Sequence, residues 1–373
     1  MKLNRREIAR LALFAAPMMI APQAATAGAT SPVLREALVG TAAPAVSAVT
    51  IRDFRAESEQ VAGMCAAGGR EPVRRGMRWH PGSNGKAMTA TLIARLVETG
   101  ALAWDRPLAA MLPDIAVDMQ PAYHDVTLTD LLSHRAGLPE NGADAALFAS
   151  FLADASSLPA QRARYVLACL REAPVGPVRA AASYSNTGFV IAAVCAERAT
   201  GRAFEDLIRA EVFAPLGMRS VSFGQFGGRH EPQGHVDGRI ADRAADANPA
   251  MFAPAGAMRM AMGDWARFCI DQMRGEHGRG RLLRAASYRF LHAPQAETSS
   301  ALGWGAAAHP MNLRGPALTH SGSDGNWYAL VCLFPQTGAG VIAAANAGES
   351  MGGDRAALAV MRALAKTVAP PQD

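Results

Sequence analysis

The sequence is poor in features that mark membrane, disulfide-rich or zinc-binding proteins. Its longest clean apolar run, Phe189 to Ala196, is far shorter than the roughly 18 residues that a membrane-spanning helix needs. The five cysteines are widely spaced, odd in number and without a Cys-x-x-Cys pair, so neither a disulfide framework nor a zinc site is indicated. Half of the 373 residues are hydrophobic and 18 % are charged, which predicts a globular protein with a large core.

The net positive charge is small outside the N-terminus. The formal net charge is +5, and residues 1–27 carry +3 of it. The remaining +2 forms no basic block and is too small for an electrostatic nucleic-acid footprint. We therefore expect a monomer that takes a small-molecule or peptide substrate and binds no nucleic acid.

Residues 1–27 are typical of an export signal. Arg5-Arg6 precede an apolar stretch from Leu11 to Ala21, and Ala25-Thr26-Ala27 places small residues where signal peptidase reads them. Paired arginines are typical of the twin-arginine route. An amphipathic N-terminal helix is the alternative, which two prolines disfavour. We expect a periplasmic or secreted protein, with cleavage after Ala27 and a mature chain of residues 28–373.

Strand patterns lie at the two ends of the chain, and helical patterns fill the middle. Strands are expected at Val46–Ile51, Glu59–Met64, Trp327–Phe334 and Gly340–Asn346, the last two forming a hairpin. Helices are expected at Ser83–Glu98 (amphipathic), after a capping box at Thr127–Asp130, at Phe189–Ala199, from Phe204 to a stop at Pro215, after a Gly263-Asp264 cap, and at Asp354–Val368.

This order predicts an α/β fold of the α+β type. One antiparallel sheet would be built from both termini and flanked by helices, with a mainly helical lobe inserted between them. The sheet lobe would comprise about residues 40–80 and 300–373, and the helical lobe about residues 81–299.

Lysine is rare, since only Lys2, Lys86 and Lys366 among the 37 basic residues are not arginine. A guanidinium is effectively never neutral in a protein, so Lys86 indicates a site for a neutral nitrogen base. Ser83 lies one helical turn before it, and the amine could take the hydroxyl proton if its pKa fell by about three units. The helix N-terminus would favour an oxyanion there. The plain alternative is a helix cap followed by a surface lysine.

Two further motifs supply polar groups that suit such chemistry. The Tyr184 phenol, with its ionised form favoured beside Lys86, could share the role of base, and Asn186 could orient Lys86 or hold a substrate amide. His320 could bind a carboxylate when protonated or donate one hydrogen bond when neutral. The alternatives are a polar turn before a helix and a polar residue at a strand end.

Three motifs follow one another along the chain: Ser83-x-x-Lys86, Tyr184-x-Asn186 and His320-Ser321-Gly322. Their residues and their order resemble those of the serine β-lactamase and penicillin-binding-protein superfamily. The resemblance is to its class C-like branch, with D-alanyl-D-alanine carboxypeptidases, D-aminopeptidases and esterases. Flanking segments that fit are Glu98–Asp114, Val126–Pro139, Val212–Met218 and Pro254–Phe268.

The resemblance implies a β-lactamase/transpeptidase-like fold that needs no metal or organic cofactor. It further implies catalytic roles for Ser83, Lys86 and Tyr184, with an oxyanion hole made by the backbone N–H groups of Ser83 and Ser323. Substrate binding would fall to Asn186, His320, Ser321, Gly322 and Ser323.

Departures from the family pattern narrow the expected activity. His320 stands where efficient class C β-lactamases carry lysine, no segment matches the acidic loop of class A enzymes, and His80-Pro81 is an unusual lead-in to the serine. A peptidase, amidase or esterase is therefore expected. A β-lactamase proper, a non-hydrolysing penicillin-binding receptor and an inactive relative are the alternatives. The Gly-x-Ser-x-Gly motif does not occur around Ser83 or Ser323, and Walker and His-Glu-x-x-His motifs are absent from the sequence.

Overall fold

The computed structural model describes residues 31–371 apart from 225, 226, 229, 244 and 297. The expected export signal lies outside these residues. None of the helices that the model describes has the length and apolar character needed to cross a bilayer.

The described residues form short strands and helices around a larger sheet. The strands are β1 (Ala45–Arg52), β2 (Arg55–Ala56), β3 (Gln60–Gly63), β4 (Arg78–Trp79), β5 (Ser222–Phe223), β6 (His235–Val236), β7 (Arg239–Ile240), β8 (Met258–Ala261), β9 (Gly305–Ala307), β10 (Ala317–Ser323), β11 (Tyr328–Phe334) and β12 (Ala339–Ala345). The α-helices are α1 (Pro32–Leu38), α2 (Gly85–Glu98), α3 (Leu108–Met111), α4 (Pro113–Ala116), α5 (Leu128–Leu132), α6 (Ala145–Ser150), α7 (Leu158–Arg171), α8 (Thr187–Thr200), α9 (Phe204–Ile208), α10 (Ala214–Leu216), α11 (Met262–Glu276), α12 (Ala285–His292) and α13 (Gly353–Ala365).

The main sheet joins the two ends of the chain, as expected. Its strand order is β2-β1-β12-β11-β10-β9, with β3 also paired to β1. The central pair is antiparallel, with Val46 opposite Ala345, and β11 and β12 form the expected hairpin. The expected class of helices with an antiparallel sheet is therefore confirmed.

Both faces of the sheet are covered, which explains the nearly continuous apolar strands. Side chains alternate between two cores, so that Val46 and Ala48 pack with α1 and α13, whereas Val49 and Ile51 face the larger helical core. β1 is buried over seven of its eight residues. A strand covered on both faces loses the polar alternation that marks a half-exposed strand.

The helix that follows the candidate nucleophile differs from the expectation. α2 is buried on almost all sides, including Thr89, Ala90, Thr91 and Ala94, so it is a central helix and not an amphipathic one. In the sequence, the small and hydroxylic residues of α2 look like a polar face. In the structure, α2 packs against α8 and against the 3₁₀ helix Ala250–Ala255. The Thr91 hydroxyl donates to the carbonyl of Ala87, which removes its need for water.

Two helix boundaries also differ. Pro215 does not stop the helical segment, because a π-helical turn, Arg209–Phe213, leads into α10 and places this proline in the first turn, where no backbone N–H is needed. The segment ends at Gly217, with φ of 68°. Asp264 does not cap α11, which already begins at Met262; it accepts hydrogen bonds from the amide and hydroxyl of Ser220. The capping box at Thr127–Asp130 is confirmed.

A small sheet brings three distant segments together at the start of α2. β4 and β5 pair with β8 on either side, and the 3₁₀ helix Ala250–Ala255 directly precedes β8. At Gly256 the backbone passes so close that an added Cβ would lie 2.4 Å from the carbonyl oxygen of Gly82. The residue before Ser83 is therefore held between the 3₁₀ helix and the end of β10.

Candidate active site

Ser83 and Lys86 lie together where the chain enters α2. Ser83 occupies a 3₁₀ turn, Gly82–Asn84, and Lys86 is the second residue of the helix, with a side chain that is fully buried. The Lys86 Nζ lies 3.0 Å from Ser83 Oγ. The hydroxyl and the amine are therefore within hydrogen-bonding distance, as one helical turn of separation predicts.

The remaining partners of the Lys86 amine are both acceptors, and it is burial that favours its neutral form. Nζ lies 2.6 Å from Asn186 Oδ1 and 2.7 Å from the carbonyl oxygen of Ala255, and both oxygens can only accept. A neutral amine satisfies them with its two N–H groups and directs its lone pair at the Ser83 hydroxyl. Burial lowers the pKa of Lys86 well below its usual range, and the charge of Glu140 opposes this only in part.

Tyr184 borders the same pair, but its protonation differs from the expectation. The Lys86 Nζ lies 5.0 Å from the centre of the Tyr184 ring, and the nearby Ser83 hydroxyl by itself lowers the pKa of the phenol. Burial nevertheless raises the pKa of Tyr184 to about 12, and the Glu140 charge adds to the rise. The expected stabilisation of the ionised phenol beside Lys86 is wrong, because burial disfavours the phenolate and the Glu140 charge disfavours it further.

The backbone amides of Ser83 and Ser323 meet across two glycines. A Cβ added at Gly322 would lie 2.7 Å from the Ser83 amide nitrogen, and one at Gly82 would lie 2.7 Å from the Ser323 amide nitrogen. Gly82 also has a φ of 57°, which glycine adopts without strain. The 3₁₀ turn Gly82–Asn84 and the end of β10 are therefore packed backbone to backbone. The two amides that the family resemblance assigns to an oxyanion hole lie side by side.

His320 lines the cleft beside these groups, in its neutral form. Burial and the nearby Lys86 lower the pKa of His320 to about 4. Its Nδ1 lies 2.6 Å from the carbonyl oxygen of Ser321, which can only accept, so Nδ1 carries the proton. Of the two expected roles, binding a carboxylate as a cation is therefore disfavoured at neutral pH, and Nε2 is left as an acceptor. Ser321 and Ser323 also line the cleft, whereas Gly322 is buried.

His134 is a cleft residue that the sequence did not single out. Its ring packs 4.5 Å from that of Tyr184, centre to centre, and 5.4 Å from that of Phe189. The Ser185 amide donates to its Nδ1 at 3.0 Å, and burial lowers the pKa of His134 to about 3. His134 thus supports Tyr184 as a neutral ring. Its backbone has a φ of 62°, which is rare for histidine and leaves no sequence signal.

The cleft around these side chains is acidic. It has a volume of about 570 Å³, and its described lining includes Glu140, Asp324 and Glu349 but neither arginine nor lysine. The Glu140 carbonyl accepts from the amides of Asn186 and Thr187, which fixes its backbone beside the start of α8. Within the described part of the chain, no group of three His, Cys, Asp or Glu residues is arranged to hold a metal ion.

The protonation states of Lys86 and Tyr184 predict a pH profile. A base acts only when unprotonated, so kcat/KM is expected to rise with pH through the lowered pKa of Lys86. It should then stay level into alkaline solution, because the phenol of Tyr184 loses its proton only at a pKa of about 12. Rates on an ester without ionisable groups, between about pH 4 and about pH 10, measure this. A rise in kcat/KM centred near the ordinary lysine pKa would contradict this prediction. Tyr184→Phe should lower the plateau value of kcat/KM without moving the pH at which it rises.

Comparison with known proteins agrees with this geometry. The sequence model of the Beta-lactamase family matches residues 32–366. The chain belongs to the β-lactamase family. Penicillin-binding protein 4 of Amycolatopsis lactamdurans is 30 % identical over 278 residues, which span 70 % of this chain and 70 % of that protein. The expected membership in the serine β-lactamase and penicillin-binding-protein superfamily is confirmed, and with it a hydrolase in general terms.

Solved structures of this superfamily share the fold. The octameric penicillin-binding protein homologue of Pyrococcus abyssi superposes with a TM-score of 0.72 at 20 % identity, covering 90 % of this chain and 75 % of that one. The D-amino acid amidase of Ochrobactrum anthropi SV3 superposes with a TM-score of 0.71 at 19 % identity, covering 90 % and 98 %. At such identities the likeness shows the β-lactamase fold alone.

Proposed function

We propose that this β-lactamase family member is a serine hydrolase that cleaves a small amide or ester through an acyl-enzyme on Ser83. The observation that carries the proposal is the buried Lys86 amine, which lies 3.0 Å from Ser83 Oγ and donates to two carbonyl oxygens, so that in its neutral form its lone pair is available to the Ser83 hydroxyl. A serine is a poor nucleophile until a base removes its proton, and this geometry supplies the base.

In acylation, Ser83, Lys86 and Tyr184 would each pass a proton to a neighbouring group. Ser83 Oγ attacks the substrate carbonyl as its proton passes to Lys86 Nζ, and the amides of Ser83 and Ser323 donate to the developing oxyanion. The protonated phenol of Tyr184 gives its proton to the departing nitrogen or oxygen and regains one from Lys86. The C–N or C–O bond breaks and an ester of Ser83 remains.

Deacylation would run the same steps with water. The water takes the place of the leaving group, loses its proton to the Lys86–Tyr184 pair and attacks the ester carbonyl. Ser83 Oγ leaves and is reprotonated, which restores the free enzyme. The same two amides hold the oxyanion in both half-reactions.

The charges of the cleft favour a substrate with a free amine over one with a carboxylate. β-Lactams and peptides that end in D-alanine carry a carboxylate near the scissile amide, and a cation is the usual partner for that group. The described lining offers no arginine or lysine, a neutral His320 and the carboxylate of Glu140 beside the catalytic groups. We therefore propose an amino-acyl amide or ester whose ammonium group contacts Glu140. The structural likeness to D-amino acid amidase supports a D-amino-acyl group.

Intact mass and steady-state rates on a matched substrate panel test this function. The panel comprises D-alanine p-nitroanilide, its N-acetyl derivative, its L-enantiomer, a chromogenic cephalosporin and a D-alanyl-D-alanine peptide. We expect a Ser83 adduct that Ser83→Ala lacks, with fastest turnover of the free amine. Faster hydrolysis of the cephalosporin would favour a β-lactamase. One equivalent of product without further turnover would favour a receptor, and no adduct at all an inactive relative.

Glu140→Gln tests the contact with the substrate ammonium. The variant removes one charge and keeps the shape, so KM for the free-amine substrate should rise about tenfold, the loss of one partly exposed charge-assisted hydrogen bond. The N-acetyl substrate, which carries no charge, should be unaffected. Glu349→Gln removes the same charge elsewhere in the lining and is the matched control. Equal effects of the two variants would contradict a specific contact at Glu140.

A further inference from the structure

His80 stands two residues before the turn that carries Ser83 and takes no part in the chemistry above. Its side chain is 1 % exposed. The Gly82 amide donates to its Nδ1 at 3.1 Å. A backbone N–H can only donate, so Nδ1 bears no proton and the ring hydrogen lies on Nε2. That nitrogen has no hydrogen-bond partner among the described residues, so the contact with Gly82 is the one that orients the ring.

The same nitrogen of His80 also faces the turn that follows β10. Asp324 Oδ2 lies 3.6 Å from His80 Nδ1, and the ring of Trp327 lies 6.4 Å away at an angle of 33°. Asp324 Oδ1 accepts from the amides of Asn326 and Trp327, both at 2.9 Å, and so shapes the turn directly after Ser323. His80 therefore contacts the turn before Ser83 and the turn after Ser323.

The 3₁₀ turn Gly82–Asn84 carries the Ser83 amide, and the other turn directly follows the Ser323 amide at the end of β10. Gly82 and Gly322 already pack so closely that neither accepts a Cβ. Glycine packing limits how near the turns approach, but it does not set the direction of each amide. The hydrogen bond from the Gly82 amide to the preceding His80 ring fixes the plane of the Pro81–Gly82 peptide, and the Gly82 φ of 57° directs the chain onward from that plane. The next peptide bears the Ser83 amide, so its direction depends on how the Pro81–Gly82 plane is held.

We propose that His80 is a positioning residue, which sets the direction of the Ser83 amide relative to the Ser323 amide by binding the Gly82 N–H and packing against Asp324. The inference rests on the proposed acyl-enzyme function and adds to it. It also gives a physical role to the His80-Pro81 lead-in that departs from the family pattern.

Inactivation by a fluorophosphonate tests this positioning role without reference to the natural substrate. The reagent phosphonylates the activated serine, and its P=O oxygen takes the place of the oxyanion, so the rate reports amide geometry. We expect His80→Leu to lower the limiting inactivation rate about 100-fold, as the loss of one oxyanion donor does, with little change in the reagent concentration that gives half that rate. His80→Asn should stay within about tenfold of the parent, because an asparagine Oδ1 can accept from the amide two residues on.

Two controls separate positioning from stability. His292→Leu removes another buried histidine, which is bonded to Glu276 and Gln272 and does not belong to the described cleft lining, and should lower the melting temperature without changing the limiting rate. Equal limiting rates for His80→Leu and the parent, or an equal loss in His80→Asn, would overturn the proposal. If His80→Leu does not fold, His80→Asn decides: a rate within about tenfold supports positioning and a loss beyond about 100-fold refutes it. A parent that no fluorophosphonate labels would instead refute the proposed function.

Discussion

Replacing Lys86 with methionine or with arginine is expected to lower kcat by at least about 10³-fold, within the range that loss of a base beside its nucleophile produces. Methionine is an unbranched side chain one atom shorter than lysine and suits a buried site, but it cannot take a proton. Arginine keeps a positive charge that it cannot lose, so the lone pair facing Ser83 disappears in both variants. Acylation should fail as well as deacylation, so intact mass should show little adduct.

The matched control is Lys366→Arg. Lys366 is exposed and directly follows α13, so no change in rate is expected. A sharper test uses Lys86→Ala with added small primary amines. The buried space vacated by the side chain should admit an amine, and the rescued rate should follow the concentration of its unprotonated form. Wild-type kcat in Lys86→Met, or rescue that is independent of amine basicity, would contradict the assignment of Lys86 as base.

The serine-lysine pair was predictable from sequence because both residues belong to one helical turn. Backbone geometry alone places side chains three residues apart on the same face. The rarity of lysine in an arginine-rich chain added the chemical reason. Tyr184 and His320 come from distant segments, and the sequence pointed to them through motif resemblance, with no spacing rule to bring them to Ser83.

Protonation states were harder to predict than positions. The sequence shows which groups are neighbours but not how much water surrounds them, and burial is the main cause of the shifts at Lys86, Tyr184 and His320. A charged lysine beside the phenol would favour a phenolate, whereas burial of the phenol disfavours one. The same ignorance of burial made α2 look amphipathic, because threonine and alanine suit a buried helix that packs closely on its neighbours.

Some functional groups leave no sequence signal at all. The Ala255 carbonyl takes one N–H of Lys86, yet any residue at that position would offer the same oxygen. Glu140 is one of many acidic residues until the fold places it in the cleft. His134 acts through a left-handed backbone conformation and a ring contact with Tyr184, and neither can be inferred from composition. Sites built from backbone groups and packing are therefore found only in the structure.

Replacing Gly322 with alanine is expected to abolish most activity through one methyl group. The new Cβ would lie 2.2 Å from the Pro81 carbonyl oxygen, and 2.7 Å from both the Ser83 amide nitrogen and Asn84 Nδ2. Two of these atoms belong to the backbone and cannot rotate away, so the Ser83 turn and β10 must separate. Loss of one oxyanion donor lowers kcat about 10²- to 10³-fold, and overpacking destabilises by about 1–3 kcal/mol.

Gly325→Ala in the following turn distinguishes crowding from a general effect of removing glycine. Gly325 has a φ of 87°, but an added Cβ there would meet no atom within 4 Å. It should therefore lose about 1–2 kcal/mol of stability from backbone strain while keeping near-parental kcat. Thermal unfolding and fluorophosphonate inactivation of both variants provide the comparison. A Gly322→Ala protein that is inactivated at the parental rate would show that the Ser83 and Ser323 amides do not act as a pair across this junction.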